Sequence, residues 1–256
     1  MSFRYPSGTL ANDCINLKIE RGECVAIVGQ NGAGKTTLVK LMNGLNKPTE
    51  GDVFVDGNNT RERTTAKISS LVSYVFQNPD DQIFKSNVRD EIAFWCRYKK
   101  LSKDETEKRV SRAIEITHLE KYADANPHEL SYMLKKFVSI ASILVVDAPY
   151  VILDEPTAGQ DIIGTALLEK IIHHLVSEGK TVITITHDME FVKNNFPRVI
   201  AMAHGRILAD GTSEQIFAND EIVSKSGIAK PQILRLSERI GCGTVLFADQ
   251  LVKKLR

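Results

Sequence analysis

The sequence lacks the features of membrane-spanning and disulfide-bonded proteins. Its 256 residues contain no apolar run close to the roughly 18 residues of a membrane-spanning helix, and the longest such run, at residues 138–146, ends at Asp147. The N-terminus has no signal-peptide pattern. The 4 cysteines are scattered without C-x-x-C spacing, which favours reduced thiols in a cytosolic protein over disulfides or a zinc site. We therefore expect any membrane role to depend on a partner protein.

Net charge is also nearly absent. Lys and Arg number 33 and Asp and Glu number 32, which leaves a formal charge of +1 at pH 7. A balance of this kind gives no overall electrostatic attraction to nucleic acid or to an anionic membrane. The sequence has no internal repeat and no low-complexity segment. The length and the 43% apolar content allow one large domain or two small ones with a sizeable core.

What the sequence does contain is a glycine-rich segment, Gly-Gln-Asn-Gly-Ala-Gly-Lys-Thr, at residues 29–36. It fits the pattern G-x-x-x-x-G-K-[ST], in which backbone N–H groups surround phosphates. The apolar run Cys24–Val28 predicts a buried strand before it, and Thr37–Met42 predicts a helix after it. Lys35 is suited to the β- and γ-phosphates, and the Thr36 hydroxyl is suited to Mg²⁺. The predicted nucleotide contacts here are Gly29, Asn31, Gly32, Gly34, Lys35, Thr36 and Thr37.

Two further apolar strands end in polar residues. Residues 151–153 lead into Asp154 and Glu155, and the β-branched run 181–186 leads into His187. In an α/β sheet, the carboxyl ends of parallel strands form the ligand edge. Asp154 is suited to hold Mg²⁺ through its waters, and Glu155 is suited to accept a proton from an attacking water. His187 is placed to donate a hydrogen bond to a γ-phosphate.

The remaining pattern predicts an α/β fold with a mainly parallel sheet, because strands alternate with helices. Further strands are predicted at 14–19, where apolar residues alternate, at 51–57, at 71–76 and at 145–153, the last interrupted at residues 148–149. A helix is predicted at 167–176. The charged helical stretch from about 80 to 145 is interpreted as an inserted helical subdomain.

Taken in order, these motifs resemble the ATPases of ABC transporters. The resemblance adds an aromatic at Tyr5, a Q-loop at Gln77, a signature segment at 130–134 and a D-loop around Asp161. It implies a P-loop NTPase with a RecA-like, mainly parallel sheet, an N-terminal antiparallel β subdomain and an inserted helical subdomain. We expect the ABC ATPase domain at 1–215 and a C-terminal segment at 216–256.

The resemblance also implies site roles. ATP and Mg²⁺ are the expected cofactors. Tyr5 stacks on adenine, Gln77 orients the attacking water or contacts Mg²⁺, and Ser131 caps the γ-phosphate bound to a partner subunit. Asp161 joins the expected nucleotide-binding set. The expected catalytic residues are Lys35, Gln77, Glu155 and His187, and the expected metal ligands are Thr36, Gln77 and Asp154. Similar proteins usually carry one more short strand ahead of Tyr5, so the sequence leaves open a late start or a shortened chain.

A subgroup of that family is more similar still, the ATPases of energy-coupling factor (ECF) transporters. Residues 74–84, 88–94 and 230–236 carry this resemblance. It implies a peripheral protein at the cytoplasmic face of the cell membrane, paired with a second ABC ATPase. Its membrane partners would be a coupling subunit and a substrate-capture subunit, and its cargo a vitamin or a transition-metal ion. No nucleic-acid partner is expected.

The signature segment departs from the family pattern L-S-G-G-Q. Here it reads Leu130-Ser131-Tyr132-Met133-Leu134, with Phe137 at a usual Arg and Gln160 at a usual Leu of the D-loop. Loss of one charge-assisted hydrogen bond costs about 1.5–3 kcal/mol, which lowers occupancy or rate roughly 10- to 100-fold. The hypothesis is a heterodimer in which this chain's own site is intact and the site that receives its signature is impaired. Alternatively, the bulky side chains turn aside and that site still works.

Other interpretations stay open at this point. One is a nearly inactive nucleotide-binding partner subunit, and another is a soluble ABC ATPase acting on nucleic acid or ribosomes. A P-loop kinase would explain neither His187 nor the ECF-like segments. Phe94, Trp95 and Tyr98 are interpreted as core of the helical subdomain, with a groove for a membrane subunit's coupling helix as the alternative.

Overall fold

A six-stranded sheet forms the centre of the protein in the computed structural model, which describes residues 1–255. The strands are β1 (Phe3–Arg4), β2 (Leu10–Asn12), β3 (Cys24–Val28), β4 (Phe54–Val55), β5 (Asn58–Asn59), β6 (Val72–Val75), β7 (Tyr150–Asp154), β8 (Thr181–Ile185), β9 (Arg198–Ala203) and β10 (Arg206–Thr212). The helices are α1 (Lys35–Met42), α2 (Thr65–Ile68), α3 (Val88–Tyr98), α4 (Lys103–Ile116), α5 (Tyr132–Leu144), α6 (Ile162–Ser177), α7 (Met189–Asn195), α8 (Ser213–Ala218), α9 (Asp220–Ser226), α10 (Gln232–Arg239) and α11 (Ala248–Leu255).

The central sheet has the order β10-β9-β3-β8-β7-β6. All its neighbouring pairs are parallel except β9 and β10, which confirms the predicted mainly parallel α/β fold. Strand β3 is buried along its whole length, as expected for a parallel strand covered on both faces. Two small antiparallel pairs, β1 with β2 and β4 with β5, lie outside this sheet. The carboxyl ends of β3, β6, β7 and β8 therefore meet at one edge.

Helices α3, α4 and α5 form the helical segment between β6 and β7. Their apolar side chains, among them Ile92, Val110 and Phe137, join the core on one face of the sheet. Each helix has a side-chain cap at its N-terminus, from Asn87, Ser102 and Ser131 respectively. No helix within residues 1–255 is both long and apolar enough to cross a bilayer.

Three strand predictions are wrong in detail. The strand predicted at 51–57 is confined to Phe54–Val55, because the chain turns at Asp56 and Gly57, which both have positive φ. Residues 14–19 form no strand, although Ile15 is buried, because the carbonyl of Ile15 accepts from the N-terminal ammonium of Met1 and that of Lys18 accepts from Arg198. The predicted strand at 145–153 begins only at Tyr150, because residues 145–149 end helix α5 and turn at Asp147, whose φ is 58°.

The predicted aromatic core on α3 is also only partly right. Trp95 packs against the core, whereas Phe94 is 41% and Tyr98 is 64% exposed. The physical reason is helical periodicity, since the buried face of α3 carries Val88, Ile92 and Cys96. Phe94 and Tyr98 are four residues apart and share the opposite face.

Candidate nucleotide-binding site

The loop between β3 and α1 approaches neighbouring backbone so closely that two of its positions require glycine. Gly29 has φ 148°, and a Cβ there would lie 2.2 Å from the Met202 carbonyl oxygen. Gly34 has φ 96°, and its Cβ would lie 2.3 Å from the Ala11 carbonyl oxygen. Such contacts are impossible for a larger residue, and these φ values strain any other residue. The loop leads directly into α1, whose N-terminus carries partial positive charge.

Lys35 is held beneath this loop. It is buried, and its Nζ donates hydrogen bonds to the carbonyl oxygens of Gly29, at 2.6 Å, and Gln30, at 3.0 Å. Burial lowers the pKa of Lys35, while the negative charges of Glu155 and Asp154 oppose that shift. A buried ammonium that binds only neutral carbonyls is poorly compensated, and an anion supplied by a ligand would improve its surroundings.

Asp154, the last residue of β7, is 1% exposed. Its Oδ2 accepts a 2.6 Å hydrogen bond from the Tyr74 hydroxyl, and the Thr36 hydroxyl lies beside this carboxylate. Its Oδ1 is buried and has no hydrogen-bond partner within residues 1–255. Burial raises the pKa of Asp154, whereas the hydrogen bond from Tyr74 and the nearby Thr36 hydroxyl oppose that shift. A buried, unpartnered carboxylate oxygen beside a threonine hydroxyl fits the hard oxygen ligands of Mg²⁺.

Glu155 follows in a strained backbone conformation, with φ 47°. Its N–H donates to the Ile185 carbonyl oxygen at 2.8 Å, which ties the end of β7 to β8. His187 Nδ1 lies 2.9 Å from Glu155 Oε2, although the pair is not aligned as a hydrogen bond. Non-glycine residues with positive φ cluster at functional sites, where the surroundings hold them in place. The structure thus brings a carboxylate and an imidazole together at the strand ends.

An open cleft of about 310 Å³ lies beside these residues. It is bounded by Tyr5 and residues 9–11 on one side and by Gln77 and Glu155 on the other. Tyr5 is partly exposed, and its hydroxyl lies 3.0 Å from Thr37 Oγ1. The remaining predicted residues along its wall are Asn31, Gly32, Gly34, Lys35, Thr36 and Thr37. The cleft therefore combines an aromatic ring, a glycine-rich loop and acidic strand ends.

Five predicted site residues do not line this cleft, namely Gly29, Asp154, His187, Ser131 and Asp161. The first three belong to the loop and strand ends described above, whereas the last two serve as helix caps. Ser131 caps α5, its Oγ accepting from the Leu134 N–H at 3.3 Å. Asp161 caps α6, its Oδ1 accepting from the Gly164 N–H at 2.7 Å. The single chain uses both as helix caps, and their role toward a nucleotide on a second subunit remains a prediction.

Sequence reasoning missed two residues of the site. Tyr74 supplies the hydrogen bond to Asp154, and its signal was a hydroxyl in an otherwise apolar strand. Lys136 is fully buried, donates to the carbonyl oxygens of Phe76 and Gln77, and has its pKa lowered by burial to about 8. The sequence signal for Lys136 was a lysine next to the apolar residues of α5. Its partner carbonyls lie some 60 residues away along the chain, so the sequence does not show them.

Comparison with known proteins identifies this arrangement. The sequence profile of the ABC transporter family matches residues 13–158. The chain belongs to the ABC transporter family. It is 39% identical to the energy-coupling factor transporter ATP-binding protein EcfA of Methanocaldococcus jannaschii, over 92% of this chain and 85% of that protein. It is also 39% identical to EcfA of Methanothermobacter thermautotrophicus, over 94% of this chain and 78% of that protein.

Solved structures agree with the sequence relatives. CbiO1 of Clostridium perfringens, part of the ABC transporter complex cbiONQ, superimposes with a TM-score of 0.79 at 37% identity, covering 93% of this chain and 96% of that chain. A dimeric ATP-binding cassette in a post-hydrolysis state bound to ADP and Pi superimposes with a TM-score of 0.77 at 26% identity, covering 83% and 96% of the two chains. The chain is thus an ABC ATPase that binds ATP and serves as the ATPase subunit of a transporter, and it resembles the ECF ATPases.

Proposed function

We propose that this ABC ATPase hydrolyses ATP to drive an ECF-type transporter that takes up a vitamin or a transition-metal ion. The similarity to two EcfA proteins and to CbiO1 supports this assignment. The proposed location is peripheral, at the cytoplasmic face of the cell membrane. The proposed partners are a second ABC ATPase, a membrane coupling subunit and a membrane subunit that captures the cargo.

The mechanism proposed for the cleft combines its geometry with the roles that the family resemblance implies. The loop N–H groups and the α1 N-terminus bind the phosphates, and Lys35 exchanges its carbonyl partners for the β- and γ-phosphate oxygens. Thr36 and Asp154 hold Mg²⁺, with Gln77 as a third candidate ligand. When bound, this ion neutralises charge that develops on the transferred phosphoryl group. Tyr5 stacks on the adenine.

Proton transfer is assigned to Glu155. Its carboxylate accepts the proton of the attacking water, which Gln77 orients, and His187 donates a hydrogen bond to the γ-phosphate. The observation that carries this assignment is the close pairing of Glu155 Oε2 with His187 Nδ1, 2.9 Å apart, at the edge of the cleft. The strained backbone at Glu155 further supports an active role, because such strain persists where the fold holds a side chain for function.

Replacing Glu155 with Gln tests this function. The substitution keeps the shape of the side chain and removes its basicity, so turnover should fall by about 10²- to 10⁴-fold while MgATP still binds. Glu62→Gln, on an exposed loop, is the matched control. The measurement is phosphate release by the complex of this chain with its partner ATPase and membrane subunits, reconstituted in vesicles with transport assayed in parallel.

A result in which Glu155→Gln barely changes turnover or transport would assign the chain to the nearly inactive partner class.

The proposed heterodimer leads to a second prediction, because Tyr132 and Met133 stand where the family has glycines. The isolated chain should hydrolyse ATP poorly, and a partner ATPase with an intact signature should restore turnover. Strong activity of the isolated chain would contradict the heterodimer proposal.

A further inference from the structure

The backbone carbonyl of Gln77 accepts two side-chain donors from a single helix. The Tyr132 hydroxyl donates to it over 3.1 Å, and the Lys136 ammonium also donates to it and to the Phe76 carbonyl oxygen at 3.3 Å. Tyr132 and Lys136 are four residues apart on α5 and therefore share one helix face. Lys136 Nζ lies 5.8 Å from the centre of the Tyr132 ring, within range of a cation–π contact.

The Tyr132 ring also closes over the turn that follows Glu155. A Cβ at Gly159 would lie 2.6 Å from Cδ1 and 2.8 Å from Cε1 of Tyr132, so the ring occupies the space that the missing side chain leaves free. Gly159 has φ 73°, which a glycine adopts without strain. The ring, which is 40% exposed, thus packs against the turn at Gly159 and reaches the Gln77 carbonyl with its hydroxyl.

These contacts join two parts of the chain that meet at the cleft. Tyr132 and Lys136 belong to the helical segment, whereas Gln77 follows β6 and Gly159 follows β7. Gln77 and Glu155 both line the cleft. A fully buried lysine is uncommon, and this ammonium is compensated by the two carbonyls that it meets and by the negative charges of Asp154 and Glu155. Movement of Gln77 would take one of the two hydrogen-bond acceptors away from Lys136, and Tyr132 resists that movement.

We propose that Tyr132 is a positioning residue for the nucleotide cleft of its own subunit, acting through the Gln77 carbonyl that it holds together with Lys136. The proposal rests on the proposed function, in which Gln77 meets Mg²⁺ or the attacking water. It assigns the bulky residue of the altered signature a role within one subunit. The family resemblance instead implies that the signature segment acts on the nucleotide bound to the partner subunit.

The test is Tyr132→Phe in the isolated full-length chain. The variant keeps the ring over Gly159 and removes only the donor to Gln77. Calorimetry gives the Kd for ATP with Mg²⁺ and the Kd for ATP with EDTA. We expect the Kd for MgATP to rise about fivefold, the effect of one neutral hydrogen bond, and the Kd in EDTA to change less than about twofold. Tyr98→Phe, at a 64% exposed tyrosine outside the cleft, is the matched control and should match wild type.

The outcomes separate this proposal from the proposed function. Absence of MgATP binding by folded wild-type chain would overturn the function itself. Normal binding by wild type and an unchanged MgATP affinity in Tyr132→Phe would overturn the positioning role alone. Equal weakening with and without Mg²⁺, or a loss confined to urea stability, would identify a merely structural contact and also overturn it.

Discussion

Two regions of the molecule use their polar groups in opposite ways. The first region is the glycine-rich loop with the acidic strand ends, and the second is the start of α5 with the turn at residues 159–161. In the first region, within the described residues 1–255, Asp154 Oδ1 is buried without a hydrogen-bond partner and Lys35 donates only to backbone carbonyls. In the second region, the Tyr132 hydroxyl, Ser131 Oγ and Asp161 Oδ1 are all bonded within the chain. Groups without adequate partners indicate a ligand site, whereas satisfied groups indicate internal structure.

One atom of the second region does not follow this division. Gln160 Oε1 is buried and has no hydrogen-bond partner among residues 1–255, although Nε2 of the same side chain donates to the Met133 carbonyl oxygen over 3.5 Å. The unusual residues Tyr132, Met133 and Gln160 thus lie in one connected cluster beside Gly159. Three variants test this difference between the two regions.

The largest effect is expected in the first region, from Lys35→Ala. Removal of the buried ammonium takes away a charge-assisted hydrogen bond to phosphate, so the Kd for MgATP should rise about 10- to 100-fold. Calorimetry on the isolated chain measures this change. Lys40→Ala, at the other end of α1 and outside the cleft, is the control. An unchanged affinity in Lys35→Ala would mean that the loop does not bind phosphate.

A smaller effect is expected on folding from Gly34→Ala. The matched control is Gly57→Ala, because Gly57 also has positive φ, 74°, but has open space around its Cβ position. Both variants strain the backbone, and Gly34→Ala adds the clash with the Ala11 carbonyl. Its free energy of unfolding should fall about 2 kcal/mol further than that of the control, a typical overpacking cost. Urea unfolding decides this, and equal losses would contradict the close approach of the loop.

The smallest effect is expected in the second region, from rebuilding the family signature with Tyr132→Gly, Met133→Gly and Leu134→Gln together. If the bulky residues impair a composite site, ATP hydrolysis by the isolated chain should rise about tenfold, the lower end of the effect of one charge-assisted hydrogen bond. Steady-state phosphate release at saturating MgATP measures it. Tyr132→Phe, which keeps the ring, should give no such rise. No gain in the triple variant would favour the alternative in which the native side chains already stand aside.

Much of the fold could be predicted from local pattern. The alternation of strands and helices indicated the parallel sheet, and the glycine spacing indicated the loop that the structure places over Lys35. The predictions that were wrong in detail concern which parts of the chain contact each other. Residues 14–19 alternate like a strand but have no neighbouring strand, and α3 turns Phe94 and Tyr98 away from the core. Partners of this kind come from distant parts of the chain, so periodicity alone does not reveal them.

The sequence by itself determined which groups are suited to bind phosphate and its metal ion, because the glycine spacing of the loop and the carboxylates that follow a strand are local features of the sequence. Only the tertiary structure decided what the unusual signature residues do. Tyr132 lies 55 residues from Gln77 along the chain, and its hydroxyl points back to that carbonyl because α5 packs against the end of β6. The direction of a side chain follows from the surfaces around it, and those surfaces exist only once the chain has folded.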